Sequence, residues 1–184
     1  MSRRLCHACA ILLCLALLAP RKAHSSPFPR HGWFVGLGLG VGKANNYGIG
    51  GTLRVGRVLG PRWGLGVETH AVTQFSGGRD LGFPVSTPSL ASGELTLRLY
   101  SPNAGLTLVG GVGWGSAALG ESSIPNAEGR ALQLGGQYEL PMGTRATWGP
   151  EAAYVWLDAP RGYQIKSHYY VAGLGTTFYL GAGK

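Results

Sequence analysis

Residues 33–43 read Trp-Phe-Val-Gly-Leu-Gly-Leu-Gly-Val-Gly-Lys, a stretch in which bulky apolar residues alternate with glycines. Successive side chains of a strand point to opposite faces, so the odd-numbered residues from Trp33 to Val41 share one face. The glycines from Gly36 to Gly42 share the other. A half-buried soluble sheet would carry polar residues opposite its apolar face. The stretch instead predicts a strand of a closed barrel, with the apolar face towards lipid and the small face towards a narrow lumen.

Eight segments of the chain have this strand character, each close to the length of about 9–11 residues that a tilted strand needs to cross a membrane. They are residues 32–43, 47–58, 62–74, 90–100, 105–118, 130–140, 146–157 and 167–180. After the first, short connection, brief turns alternate with longer polar connections, as in barrels with short periplasmic turns and longer extracellular loops. We therefore predict an all-β fold, an eight-stranded antiparallel up-and-down transmembrane β-barrel.

The first residues have the features of a secretory signal. Arg3 and Arg4 precede an apolar run at residues 8–19, and Ala23-His24-Ser25 offers small residues before a cleavage site. The run is too short for a membrane-spanning helix, which needs about 20 apolar residues. We expect residues 1–25 to be a cleaved signal peptide and residues 26–184 to form the barrel domain.

Cysteine usage and charge limit the possible functions of the mature chain. All three cysteines lie within the predicted leader, so the mature chain has neither disulfides nor thiolate metal sites. The formal charge of +8 falls to +4 without the leader, because 12 basic residues then face 8 acidic ones. These basic residues form no stripe with interleaved aromatics, so we expect no nucleic-acid partner.

Aromatic side chains are predicted to sort to two levels of the membrane if the chain begins and ends in the periplasm. The expected outward residues near the periplasmic rim are Trp33, Trp63, Tyr138, Trp148 and Phe178. Those near the outer rim are Tyr47, Phe75, Trp156 and Tyr170. Two such levels match the aromatic girdles that anchor membrane barrels at headgroup depth.

Polar side chains fall on the face opposite to the apolar residues, as a lumen requires. They are Arg54, Glu68, His70, Glu94, Arg98, Gln133, Gln137, Glu139 and Glu151. The turn at Gly60-Pro61 predicts an ion pair between Arg54 and Glu68. We interpret the set as a side-chain network that fills a small barrel. The alternative is a narrow cation-selective channel, since carboxylates outnumber cations there and the lumen glycines leave room for water.

The chain resembles the small eight-stranded outer-membrane barrels of Gram-negative bacteria, the OmpA-like and OmpX-like group. The resemblance rests on residues 32–42 and on the closing segment 169–180, Tyr-Tyr-Val-Ala-Gly-Leu-Gly-Thr-Thr-Phe-Tyr-Leu. It implies a barrel inserted by the outer-membrane assembly machinery. That group usually ends on a terminal aromatic residue, whereas four residues follow Leu180 here. Phe178 and Leu180 are the nearest equivalents.

These observations predict a monomeric protein of the outer membrane with a structural or envelope-maintenance role. Its expected partners are membrane lipid and lipopolysaccharide, with no cofactor and no metal. A lipid-modifying enzyme is a weaker alternative. Ser167 and His168 begin the last predicted strand and Glu151 lies on the preceding one, but adjacent strand residues face opposite sides, so the serine and histidine are poorly placed to pair.

Overall fold

The computed structural model describes residues 30–44, 46–74, 89–101, 105–118, 127–158 and 168–181. The predicted signal peptide, Phe75 and Ser167 lie outside these residues. Within the described ranges, no helix is both long and apolar enough to cross a bilayer.

The described residues form a closed antiparallel barrel. Its strands are β1 (Trp33–Lys43), β2 (Tyr47–Gly60), β3 (Trp63–Gln74), β4 (Ser89–Tyr100), β5 (Leu106–Ala118), β6 (Ala127–Tyr138), β7 (Leu140–Met142), β8 (Ala146–Asp158) and β9 (His168–Leu180). Each strand from β1 to β5 pairs with the next, β9 pairs with both β1 and β8, and β6 and β7 pair with successive parts of β8. The nine strands therefore occupy eight positions around the ring, and the predicted fold class is confirmed.

The sixth position differs from the prediction, which placed one strand at residues 130–140. The strand begins earlier, at Ala127, and is interrupted at Glu139, whose amide donates to the carbonyl oxygen of Gly105 (2.7 Å). On β8, a Cβ at Gly149 would strike the carbonyl oxygen of Tyr138, so the two strands approach closely only because that residue is glycine. Pro150 follows and has no backbone amide to donate.

Side chains alternate between the two faces of the barrel wall. On β1, Trp33, Leu37 and Leu39 are exposed, whereas the even-numbered residues between them are buried. The exposed face is aliphatic and aromatic over much of its height, and Leu39 and Leu134 reach 66% and 70% exposure. The apolar face of the strands therefore points outward, as the alternation predicted.

We name the two ends of the barrel by their connections. The turn end carries the turns at residues 61–62 and 143–145, together with the start of β1 and the end of β9. The loop end carries the connection between β1 and β2 and the strand ends next to residues 75–88, 119–126 and 159–167, which lie outside the described residues.

Two apolar clusters enclose a polar layer inside the barrel. The turn-end cluster contains Phe34, Val58, Tyr100 and Tyr179. The loop-end cluster contains Ala44, Val72, Leu90, Ala117, Ala127, Ala131, Val155, Leu157, Tyr169 and Val171. The charged and amide side chains of the strands lie between them.

Candidate functional site

The structure places the polar residues named from the sequence inside the barrel. Arg54, Glu68, His70, Glu94, Arg98, Gln133, Gln137 and Glu139 are buried, and the side chain of Glu151 is 10% exposed. Each of them except Glu139, which lies in the break between β6 and β7, lies on the inward face of its strand, because it shares the parity of the buried positions. The side chains other than Glu139 form the candidate site, which we call the polar layer.

Arg54 forms its ion pair with Glu151, so the predicted pairing of Arg54 with Glu68 is wrong. Arg54 and Glu68 are register partners on β2 and β3, but the guanidinium extends away from β3. It donates to the Glu151 carboxylate on β8 and to Oε1 of Gln137 (2.7 Å).

Glycines explain this choice of partner. The Arg54 side chain crosses the inner face of β1 at Gly36, where a Cβ would approach its Cγ and Cδ to 2.9 Å. A Cβ at Gly38 or at Gly175 would overlap the Glu151 carboxylate. These three glycines leave part of the inner faces of β1 and β9 without side chains, a surface that we call the glycine floor, and two residues from non-adjacent strands meet over it.

Glu68 binds three side chains around it. Arg98 donates to its Oε1, the amide of Gln133 donates to its Oε2 (2.7 Å), and Nε2 of His70 lies 3.7 Å from Oε2. The Arg98 guanidinium also stacks over the Phe34 ring, with Cζ 5.1 Å from the ring centroid. The bonds and the stacking link the polar layer to the turn-end cluster.

His70 and Glu94 complete the polar layer on the side of β3 and β4. Nδ1 of His70 lies 3.3 Å from the hydroxyl of Thr52. Glu94 is opposite Glu68 in the register of β3 and β4, and it forms no ion pair with a residue that the structure describes.

A second polar group closes the turn end. Arg30, just before β1, contacts Oε2 of Glu139 through Nε (2.9 Å) and Nη2 (2.8 Å) and donates to the carbonyl oxygen of Ser101 (3.2 Å). Its Cζ lies 4.7 Å from the centre of the Tyr100 ring. The hydroxyl of Tyr179 donates to Oε1 of Glu139 (2.8 Å). Glu139 was predicted from the sequence as a lumen residue, but Arg30 was not. Arg30 precedes the first strand, outside the alternating pattern that marks lumen residues.

Neighbouring side chains or backbone atoms take up the space in front of the inner-face glycines, which contradicts the expected open space. A Cβ at Gly42 would lie 2.5 Å from Val72, and one at Gly64 would lie 2.6 Å from the Tyr100 hydroxyl. The polar layer contains a cavity of about 20 Å³, lined in part by Arg54, His70 and Gln137. A void of this size has room for about one water molecule. It cannot hold a hydrated cation.

The apolar clusters at the two ends were also missed. Val72, Leu157 and Tyr169 share the parity of the inward charges, and this signal was available in the sequence. Tyr169 is fully buried and its hydroxyl bonds to that of Ser92. The lumen is therefore lined by apolar side chains towards the loop end.

The predicted interface aromatics lie on the outer face where the structure describes them. Exposed residues are Trp33, Trp63, Trp148 and Phe178 towards the turn end and Tyr47, Trp156 and Tyr170 towards the loop end. Tyr138 is half-buried. Tyr154, His168 and Tyr170 form an outer aromatic cluster with ring centroids 5.0–6.0 Å apart.

Of the residues considered for catalysis, the structure describes Glu151 and His168, and it does not bring these two together. Glu151 lies inside with Arg54, whereas His168 lies outside against Tyr154 and Tyr170. No group of three or more His, Cys, Asp or Glu residues suited to a metal occurs in the described part of the chain.

Comparison with known proteins identifies the fold. No protein-family model matches the chain, and no curated protein matches its sequence. Neisserial surface protein A is similar in structure (TM-score 0.55, 12% identity), over 80% of this chain and 97% of that protein. So is Ail, the attachment invasion locus protein of Yersinia pestis (TM-score 0.52, 18% identity), over 80% and 99% respectively. The chain therefore has the fold of the small eight-stranded outer-membrane barrels.

Proposed function

We propose that this chain is an outer-membrane β-barrel protein with a structural or envelope-maintenance role and no catalytic site. In this proposal residues 1–25 are removed on export, and residues 26–184 form a monomeric barrel. The observation that carries the proposal is the combination of an apolar outer wall with an interior closed at both ends.

The outer wall supports a lipid environment. Leu37, Leu53, Leu95, Leu134 and Leu174 are each more than half exposed, on five different strands around the ring. Exposed apolar surface costs roughly 25 cal/mol per Å² in water, and soluble monomers rarely expose contiguous apolar patches of more than a few hundred Å². Hydrocarbon removes this cost, and a closed barrel leaves no unpaired strand edge in the bilayer.

The interior supports a structural role over a channel. A hydrated cation would have to pass the loop-end cluster, the polar layer with its water-sized cavity, and the Arg30–Glu139 pair. Three arginines each pair with one carboxylate, and the remaining lumen carboxylate, Glu94, is buried, so the described lumen offers no open acidic path. A barrel of eight strands normally encloses little more than its own side chains.

The partners that fit this role are membrane lipid, lipopolysaccharide and the machinery that assembles outer-membrane barrels. Alternation of apolar and small residues in the closing strand β9 is the type of feature that such machinery can use, although the strand is followed by further residues. The likeness to Neisserial surface protein A and Ail supports the outer-membrane location through the fold.

Two measurements test the proposal. Expressed in a Gram-negative host, the protein should remain in the outer-membrane fraction after a urea wash, and its mature N-terminus should begin at Ser26. Purified and reconstituted in planar bilayers, it should give no cation-selective conductance steps. Release by urea would contradict the membrane location, and reproducible cation-selective steps would favour the channel.

A further inference from the structure

Three arginines lie on the outside of the barrel at the turn end. Arg57 faces outward on β2, Arg62 lies in the turn at residues 61–62, and Arg145 lies in the turn before β8; all three are exposed. We call this set the turn-end rim.

The rim carries charge that the described residues do not neutralise. None of its arginines forms an ion pair with another described residue. Among the residues described at this end, the acidic side chain is Glu139, which is buried and already bound by Arg30.

The loop end differs in its balance of charge. Its exposed basic residues in the described chain are Lys43 and Arg130, and its exposed acidic residues are Glu128 and Asp158. Arg130 and Asp158 are register partners on β6 and β8. Among the described residues, the excess positive charge is therefore concentrated at the turn end.

Tryptophans place the rim at the depth of lipid headgroups. Trp33 is the register partner of Arg57, Trp63 directly follows Arg62, and Trp148 closely follows Arg145. All three indoles are exposed on the outer face. Exposed indoles of membrane barrels concentrate at the boundary between hydrocarbon and headgroups, so the adjacent guanidiniums reach the phosphates.

We propose that the turn-end rim binds anionic glycerophospholipid headgroups. This inference rests on the proposed insertion in a membrane. A guanidinium can donate two parallel hydrogen bonds to a phosphate, and an anionic bilayer surface attracts each nearby basic residue. Zwitterionic headgroups carry a phosphate but no net charge, so the rim should select anionic lipid over phosphatidylcholine.

Tryptophan quenching by brominated lipids tests the proposal at the site itself. Trp114→Phe and Trp156→Phe, made together, leave emission from Trp33, Trp63 and Trp148. This protein is reconstituted in mixtures of phosphatidylglycerol and phosphatidylcholine, with the bromines on one lipid or on the other. The difference in quenching gives the association of phosphatidylglycerol relative to phosphatidylcholine.

We expect phosphatidylglycerol to associate about fivefold more strongly than phosphatidylcholine at low salt. This ratio corresponds to the attraction between one anionic lipid and roughly one nearby basic residue. Replacing Arg57, Arg62 and Arg145 together by Gln should bring the ratio close to one, and high salt should reduce it in the parent. The matched control, Lys43→Gln with Arg130→Gln, removes two charges at the loop end and should leave the ratio unchanged.

The outcomes separate the two proposals. Strong but equal quenching by the two brominated lipids would overturn the headgroup preference and leave the membrane barrel intact. A preference that persists in the triple Gln variant would also overturn the assignment to the rim. Absence of quenching by either lipid would contradict membrane insertion itself.

Discussion

Replacing Arg98 by Met should destabilise the barrel by about 3–5 kcal/mol, because it leaves a buried carboxylate without its cation. Arg98 and Glu68 are only 1% and 2% exposed. Glu68 would retain the amide of Gln133 at 2.7 Å, a bond of about 1.5–3 kcal/mol to a charged group. We therefore expect a cost near the lower end of the range.

The double variant Glu68→Met with Arg98→Met should cost less than the sum of the two single changes. Each single change leaves one buried charge without its partner, whereas the double change removes both charges. We expect a coupling free energy of about 3 kcal/mol, since the two groups bond directly.

The assay is urea unfolding in phospholipid vesicles, followed by tryptophan emission, with the free energy of unfolding compared across the four proteins of the cycle. A second cycle with Arg54→Met and Glu68→Met joins register partners that do not bond directly, and its coupling should be smaller than that of the first cycle. Additive effects in the first cycle, or a larger coupling in the second, would refute the pairing described for the polar layer.

Four further substitutions test the inner and outer faces by the same unfolding assay. Gly38→Ala should destabilise the barrel, because the added Cβ would overlap the Glu151 carboxylate. Gly51→Ala is the control: an added Cβ there would meet its nearest atoms at 3.8 Å, so the change should be neutral within about 0.5 kcal/mol. Equal effects of the two substitutions would contradict the glycine floor. Leu39→Arg should cost about 2–4 kcal/mol as a charge on a lipid-facing position, and a change below about 0.5 kcal/mol would contradict its outward placement. Leu157→Ala should cost about 2–5 kcal/mol by leaving a cavity in the loop-end cluster, and a smaller loss would mean that the cluster is loosely packed.

The facing of the strands could be predicted because it follows from the alternation alone. Leu37 and Leu39 point outward and Arg54 and Glu68 point inward as their parity requires. The predicted strand ends also lie close to the observed ones, because turn residues such as Gly60 and Pro61 mark them. The break at Glu139 was not predictable, because it depends on the close approach of Gly149 to Tyr138 across two strands.

The partners within the polar layer could not be predicted from register. Register fixes which backbones are opposite, but an arginine side chain is long enough to leave its own strand pair. Arg54 bonds to Glu151 because the glycines between them offer no side chain to stop it. From the sequence, we expect the space in front of those glycines to be open, whereas neighbouring side chains occupy that space in the structure.

The central claim is that the apolar face of each strand contacts hydrocarbon while the opposite face is sealed. Tyr169 and Tyr170 are adjacent on β9, one fully buried and the other exposed. In a background with all five tryptophans replaced by Phe, Tyr169→Trp and Tyr170→Trp are reconstituted in lipid brominated near the headgroup. If the apolar faces contact hydrocarbon, the Trp at position 170 should be strongly quenched and the Trp at position 169 only weakly. Equal quenching at the two positions, or the reverse order, would contradict this facing of the strands.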